Sequence, residues 1–303
     1  MKIPSSLWTD NTLHLPVSVA TDYTNRLNAI GRYDDARGPS PQGEIGGITE
    51  EATIEHFVHR FAASAVRTEF LLLDPRKEFG DISSDLIRSL TDGVISILDV
   101  PCGAGGGLLG FLGLIHELRS TGILKKLPLN ISITAGDCSS SAMELYDQML
   151  TAASPWLNDS GIRLAWECRV WDAKHEPSTA SIVDSWFAQS PDSEEWLVLV
   201  AAISGELGSE AEKPRLATNI RFFQHICSRM HDRFGGIYWA EPDTNQSNWL
   251  LSKMASSVLN SIATVFRQRH HKKSVQFNWQ HPLKTNVFSG RIQVLEHRRT
   301  GTE

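Results

Sequence analysis

From residue 94 onward, short hydrophobic runs alternate with longer amphipathic stretches. The runs have the length of strands, and the stretches between them repeat apolar residues at helical spacing. Strands are predicted at residues 94–100, 131–136, 162–170, 196–202 and 236–240, with helices at 108–118, 139–153, 179–188, 215–234 and 247–268. Two more strands, 274–279 and 291–297, close the chain with no helix between them.

The order of these elements predicts an α/β fold. Repeated strand–helix units imply right-handed crossovers and therefore a mostly parallel sheet. The last two strands imply an antiparallel β-hairpin at the edge, for a sheet of about seven strands in all. Ligands of such sheets bind at the carboxyl ends of the strands. The candidate site residues are therefore those at which each strand ends.

The first 90 residues have a different pattern. They predict a mainly helical segment, 1–90, ahead of a domain at 91–303. Residues 1–48 look irregular apart from a short helix at 22–30, and Thr49 is a suitable N-cap for the helix that follows it. A helical segment in this position often covers a cofactor cleft.

The helix after Thr49 is amphipathic. Its apolar face carries Ile54, Phe57, Phe61 and Ala65. Its polar side carries His56, His59, Arg60 and Arg67. This polar stripe is either a contact for substrate or nucleic acid, or a solvated helix face, and the solvated face is the more frequent case. A second helix is predicted at 84–90.

Composition excludes several classes of protein. The 29 Lys and Arg residues against 35 Asp and Glu give a formal net charge of −6 over 303 residues, so a surface coated by nucleic acid has no support. No apolar run is long enough to cross a membrane, and the N-terminus does not resemble a signal peptide. The cysteines lack the close spacing of a metal site and fit a cytoplasmic protein without a metal; they are Cys102, Cys138, Cys168 and Cys227.

The stretch at residues 97–107 carries the clearest chemistry. An apolar run ends at Asp99, a turn containing Gly103 and Gly105 follows, and a long apolar segment begins at Leu108. This pattern predicts a strand, a tight turn and a helix. Glycines allow a ligand to approach the backbone closely, and the N-terminus of a helix attracts anions. The unit therefore predicts a nucleotide or anion site.

The motif Asp99-x-x-x-Gly103-x-Gly105 resembles the first motif of the class I S-adenosylmethionine (SAM)-dependent methyltransferases. Pro101 stands where many of them have a further glycine. The resemblance implies a Rossmann-like fold with SAM as the cofactor. The dinucleotide fingerprint fits less well because Leu108 takes the place of its last glycine or alanine. The alternative is a glycine-rich connector of another α/β domain.

Further site residues follow from the resemblance. It implies that Asp99 and the turn bind the methionyl part of SAM and that Asp137, after the second strand, binds the ribose. Cys138 would pack on the adenine, and Asp172, after the third strand, would bind its amino group. Ser204, after the fourth strand, is also predicted to bind the cofactor. An alternative for Asp137 is an N-cap of the next helix, which Ser139 could serve instead.

The ends of the last two parallel strands are candidates for catalysis. Glu206 and Glu241 are predicted to position the methyl acceptor or act as a base. Residues 203–207 together with Glu241 and Pro242 resemble the mitochondrial-type small-subunit rRNA methyltransferase-like family, whose cysteine-rich metal site this sequence lacks. Motifs for methylating exocyclic amino groups of bases, or pyrimidine C5, are absent after the fourth strand.

These features predict a SAM-dependent methyltransferase whose acceptor is a small molecule, a protein or RNA. The alternative is a methyltransferase-fold subunit that binds partners in a larger complex without catalysis; an oxidoreductase fits less well. The basic run at residues 267–273 would either contact phosphates or complement the dipole at a helix C-terminus, and the second is the simpler reading.

Overall fold

The chain forms a layered α/β structure around one large sheet. The computed structural model describes residues 3–41, 47–173, 175–201, 234–242 and 266–299, together with Ile226 and Arg229. The strands are β1 (Trp8–Thr9), β2 (Thr12–His14), β3 (Gly93–Asp99), β4 (Leu129–Asp137), β5 (Ile162–Val170), β6 (Glu195–Ala201), β7 (Gly235–Glu241), β8 (Phe266–Gln280) and β9 (Val287–Arg299). The helices are α1 (Val17–Ala29), α2 (Tyr33–Arg37), α3 (Glu50–Leu73), α4 (Asp81–Ser89), α5 (Gly106–Ser120), α6 (Ser140–Asp159) and α7 (Glu176–Gln189).

The sheet has nine strands in the order β1-β2-β8-β9-β7-β6-β3-β4-β5. Strands β3 to β7 pair in parallel with one another, whereas β9 is antiparallel to both β7 and β8. The α/β class, the mostly parallel sheet and the terminal antiparallel hairpin are therefore confirmed. The strand count exceeds the predicted seven because β1 and β2 join the sheet, β2 pairing in parallel with β8.

Burial explains why the central strands could be recognised. Every residue of β7 and all but the last residue of β6 are buried. Parallel strands covered on both faces have such continuous apolar sequences. Strand β5, at the edge of the sheet, alternates between more and less exposed positions instead. The burial of β3, β6 and β7 places their carboxyl ends in the middle of the molecule.

The N-terminal region departs from the expectation. Residues 1–48 were expected to be irregular, but they include β1 and β2, and α1 begins at Val17 rather than at residue 22. The strands β1 and β2 have only two and three residues, too few for an alternating pattern to be visible. The predicted boundary between segments 1–90 and 91–303 stays a prediction.

The prediction was also wrong at the start of the C-terminal hairpin. Residues 266–268, expected at the end of a helix, belong to β8, and so does the basic run 267–273. These residues pair with β9 along the hairpin, so the run does not lie at a helix C-terminus. The pairing is stabilised by backbone hydrogen bonds across the hairpin. A local pattern of apolar residues does not indicate such bonds, because they form with a distant strand. Most of the predicted helices 215–234 and 247–268 lies outside the described residues.

Helix α3 is the element of the N-terminal region that reaches the sheet. Thr49 is its N-cap, as predicted, with the side chain accepting a hydrogen bond from the Ala52 N–H at 3.2 Å. The helix crosses α5 closely, and the Thr68 hydroxyl donates to the Gly107 carbonyl at 2.7 Å. A Cβ at Gly110 would lie only 2.2 Å from the carbonyl oxygen of Ala65. The crossing therefore depends on glycine.

Glu69 is a buried acid on α3. Its side chain is fully buried, and neither carboxyl oxygen has a hydrogen-bond partner among the described residues. Burial raises the pKa of Glu69 well above its ordinary value of 4.5, and the nearby Glu117 adds to the shift. The folded state therefore retains a proton on Glu69 at pH values where the unfolded chain has lost it.

Within the described helices, no segment combines the length and the apolar character that crossing a bilayer would need.

We predict that Gly110→Ala lowers the free energy of unfolding by about 2 kcal/mol, because the added methyl group overlaps the backbone of α3. The intrinsic helix preference of alanine would give about 1 kcal/mol in the opposite direction. Chemical denaturation measures the difference. Ser120→Ala, at the exposed end of the same helix, is the control and should change little. A Gly110→Ala protein as stable as its parent would contradict the close crossing.

We predict that Glu69→Gln stabilises the protein at neutral pH and not in acid. A raised native pKa means that stability falls as the pH rises above the unfolded value of 4.5. Glutamine does not ionise, so the variant should be at least about 1 kcal/mol more stable at pH 7 and nearly equal to the parent at pH 4. Urea titrations across this range test it, with Glu144→Gln on the exposed face of α6 as control. Equal pH profiles for the Glu69→Gln variant and the parent would show that Glu69 is not held protonated.

Candidate functional site

A cavity lies where the strand order of the sheet reverses direction. Strand β3 has β4 on one side and β6 on the other. After β4 the next strand, β5, lies further out on the same side, and after β6 the next strand, β7, lies further out on the opposite side. In doubly wound sheets this switch point is where ligands bind, at the carboxyl ends of the strands. The cavity is lined by residues that follow β3 and β4, by Ala201 at the end of β6, and by one side of α3.

The turn after β3 has the backbone geometry expected of a ligand-binding loop. Gly103 and Gly105 have φ values of +51° and +82°, a region that favours glycine. The Cys102 N–H donates to the Gly136 carbonyl at 2.9 Å, which holds the turn against β4. Gly105 is the N-cap of α5 and offers no side chain to its free N–H groups. These groups are available to an anionic part of a ligand.

Asp137 joins the turn to the end of β4. One carboxylate oxygen accepts a hydrogen bond from the Gly103 N–H and the other from the Ser139 N–H, both at 2.9 Å. Ser139 is the N-cap of α6 and accepts from the Ala142 N–H at 3.2 Å. The capping function considered for Asp137 therefore belongs to Ser139. Asp137 holds the conformation of the glycine turn and lines the cavity.

Asp99 is the second acid of the cavity. Only 2% of the residue is exposed, and the Tyr146 hydroxyl donates to its carboxylate at 3.1 Å. Burial raises the pKa of Asp99 well above its ordinary value, against the opposing effect of the Tyr146 hydrogen bond, and the nearby Asp137 raises it further. Burial raises the pKa of Asp137 as well, although its backbone hydrogen bonds act in the opposite direction.

The described part of the cavity lining offers no cationic side chain to balance these acids. Among the described residues, no Lys or Arg lines it, and the one titratable base is His56 of α3. Burial, with help from Arg60 and Arg67, lowers the pKa of His56 to about 4, so this imidazole is neutral at pH 7. In the part of the site that the structure describes, two buried acids and the free N–H groups of a helix therefore lie together without a compensating cationic side chain.

Helix α3 forms the wall opposite the glycine turn. Phe57, Phe61 and His56 project from it toward the turn, and the hydroxyl groups of Thr53 and Ser139 are 2.8 Å apart. The space left between the walls is about 100 Å³. Sites for drug-sized ligands are commonly about 300–1,000 Å³, so a ligand as large as SAM requires α3 or the turn to move apart.

The structure brings some of the predicted residues together. Asp99, Pro101, Gly103 and Asp137 line the cavity, and Gly105 begins the helix beside it. Cys138 and Asp172 are exposed and are not among the lining residues, so their predicted contacts with adenine stay predictions. Trp171 is a core residue, 2% exposed, whose indole N–H donates to Thr179.

Of the two predicted catalytic acids, Glu241 is the one that the structure describes, and it is not among the lining residues of the cavity. Glu241 is fully buried at the end of β7 and accepts a hydrogen bond from the indole N–H of Trp239 at 2.6 Å. Its carboxylate is close enough to Arg67 of α3 to affect the pKa of that residue. Ser204 and Glu206 lie outside the described residues.

The sequence suggested that the N-terminal helical segment covers a cofactor cleft, but it did not identify which residues of α3 line the site. Thr53, His56 and Ser64 line the cavity beside the aromatic residues of the same helix. Their spacing of three, eight and eleven residues places them on one side of a helix. That signal was available, but nothing in the sequence indicated which part of the sheet this side would face. In the described part of the chain, no cluster of three metal-ligating side chains occurs.

Comparisons with known proteins add little to this geometry. No protein-family model and no curated protein matches the chain. One similar solved structure is the crystal structure of a proposed S-adenosyl-L-methionine-dependent methyltransferase from Methanococcus maripaludis. It is 12% identical, with a TM-score of 0.33, over 88% of this chain and 99% of that chain. A similarity of this size carries no argument about function.

We predict that Asp137→Ala lowers the free energy of unfolding by about 1–3 kcal/mol, because the N–H groups of Gly103 and Ser139 lose their acceptor. Asp172→Ala is the matched control, since it removes an exposed acid after the adjacent strand and should cost no more than about 0.5 kcal/mol. Thermal and urea unfolding give the comparison. Equal losses for the two variants would refute the structural role of Asp137.

Proposed function

We propose that the cavity binds SAM and that the protein transfers its methyl group to an acceptor. The observation that carries the proposal is the charge of the cavity at the switch point of the sheet. Asp99 and Asp137 are buried there with no cationic side chain among the lining residues that the structure describes, beside the uncapped N-terminus of α5. A ligand with both an anionic and a cationic group suits such a site.

SAM has the required distribution of charge. Its carboxylate would bind the free N–H groups at the start of α5, as anions do at helix N-termini. Its ammonium and sulfonium groups would offset the carboxylates, whose pKa values are raised by burial. Asp99 would receive the ammonium group and Asp137 the ribose hydroxyls. Cys138, Asp172 and Ser204 are proposed for the adenine side.

The chemistry asks little of the protein beyond positioning. A lone pair of the acceptor forms a bond to the methyl carbon while the carbon–sulfur bond breaks, and its electrons neutralise the sulfonium. The protein has to hold both reactants in line in a site without water. Glu206 and Glu241 are proposed to position the acceptor or to remove its proton. The protein is proposed to work in the cytoplasm, alone or with a protein partner.

One observation favours a second candidate. The cavity of about 100 Å³ is narrow, and aromatic residues of α3 form its wall. A methyltransferase fold that has lost its cofactor and serves as a binding subunit would have a closed site of this kind. A subunit that has lost the cofactor differs from the enzyme in that it does not bind SAM, and a subunit that has kept SAM differs in that it does not methylate an acceptor.

Substitution of Gly103 tests the site without removing any contact that holds the fold. Gly103 has φ of +51°, and a Cβ placed on it would meet no atom within 4 Å. Asparagine tolerates this backbone conformation better than other residues with a side chain. We predict that Gly103→Asn lowers the affinity for SAM at least about tenfold by occupying the cavity. Isothermal titration calorimetry with SAM measures the change.

Gly122→Asn is the matched control. Gly122 also has a positive φ, +73°, with open space around its Cβ, but it follows the other end of α5, roughly 20 Å away. This variant should bind SAM as the parent does. Equal affinity in the Gly103→Asn protein would place SAM elsewhere, and a parent that binds neither SAM nor its demethylated product would favour the binding subunit.

A further inference from the structure

A second and larger depression lies on the next side of α3. We call it the cationic groove; it is formed by α3, the chain after α2 and the end of the hairpin β8–β9, and its volume is about 990 Å³. His59, Arg60 and Arg67 line it from α3, roughly a quarter turn around the helix from the residues of the cavity. The groove thus corresponds to the polar stripe seen in the sequence.

The groove concentrates positive charge in a protein that is negative as a whole. Arg37, Arg60, Arg67 and Lys284 line it. The single lining acid, Asp34, pairs with Arg37 at 3.8 Å, so three cations exceed the acids of the lining, whereas the chain carries a net charge of −6. The acids beside the groove are already engaged, since Arg32 forms ion pairs with both Asp35 and Glu55. The excess of cations is therefore local and is not a consequence of composition.

Several polar groups of the groove are only partly satisfied. Nε of Arg67 and Nδ1 of His59 are buried without a hydrogen-bond partner among the described residues, and the His59 side chain is only 6% exposed. Burial lowers the pKa of Arg67 to about 10, which Glu241 opposes. The unsatisfied Nε–H of Arg67, in a cationic setting, suits a site that receives an anion.

Aromatic rings form the other surface of the groove. Trp279 and Phe288 lie on facing positions of the hairpin, with ring centroids 5.4 Å apart, and His281 is next to both. The Lys284 ammonium lies 5.7 Å from the centre of the Phe288 ring and donates to the Gly38 carbonyl at 2.6 Å. Burial lowers the pKa of His281 to about 4, so this ring is neutral at pH 7.

We propose that the cationic groove binds a small phosphorylated molecule with an aromatic ring, of the size and chemistry of a mononucleotide, and that this molecule is the methyl acceptor. The arginines would bind the phosphate, and the ring would pack on Phe288 and Trp279. A single nucleotide suits the groove better than a nucleic-acid strand, because the net charge of −6 on the whole chain disfavours binding of a long polyanion.

The role as acceptor rests on the proposed function, but binding in the groove does not. The two sites lie on neighbouring sides of α3, and His56 in the cavity is close enough to Arg60 and Arg67 for both to affect its pKa. A cationic methyl donor in the cavity and an anionic acceptor in the cationic groove would attract each other. That arrangement would bring together two substrates of opposite charge.

Uridine 5′-monophosphate and uridine are suitable probes, because neither contains the adenine that the SAM site would recognise. We predict that calorimetry detects binding of the phosphorylated probe, that added salt weakens it, and that uridine binds at least about tenfold more weakly. The affinity of the double variant Arg37→Glu/Arg60→Glu for the phosphorylated probe should be lower by a similar factor. Arg37→Gln/Arg60→Gln, a milder change, should weaken it less and guards against a folding defect.

Lys125→Glu/Arg163→Glu is the charge-matched control, since both side chains are exposed, both lie outside the groove, and the net charge changes equally. It should leave binding intact. The proposal is overturned if the probe does not bind, if the control loses it as strongly, or if only a single-stranded hexanucleotide binds. The Gly103→Asn variant should bind the phosphorylated probe as the parent does. Failure of SAM binding and failure of binding in the groove can therefore be distinguished.

Discussion

The close crossing of α3 over α5 is the contact on which the rest of the site depends. Gly106 and Gly110 let the two helices approach so closely that a side chain at either position would meet the backbone of α3. Because α5 begins at the glycine turn, this crossing fixes the distance between the turn and the wall of the cavity. The same helix α3 then presents its next side to the hairpin. One packing contact therefore sets the width of two sites.

The two sites differ in charge although they share a helix. The cavity has buried carboxyls and no cation among the described residues, whereas the groove has four cations and one acid. In a low-dielectric setting each unbalanced charge is costly, and a ligand of opposite sign removes that cost. The glycine turn alone would suggest only an anion site. The acids at Asp99 and Asp137 are what favour a ligand that also carries positive charge.

Much of the fold could be predicted because its signals are local. The apolar runs of β3, β6 and β7, the glycines of the turn and the N-cap at Thr49 each report a short stretch of chain. Parallel strands buried on both faces have no room for polar residues, so their sequences identify them. The proximity of the side chains at the ends of β3 and β4 could be predicted because the carboxyl ends of parallel strands lie at the same edge of a sheet.

What the sequence determined by itself is the alternation of strands and helices, the bend after Asp99 and the acids at the strand ends, since these depend on residues that are close in the chain. The tertiary structure alone decided that 266–273 is a strand, that β1 and β2 extend the sheet, and that α3 covers the turn. It also decided that Asp137 holds Gly103 while Asp172 remains exposed. These outcomes depend on contacts between distant segments, whose energies come from pairing and packing partners that no local pattern names.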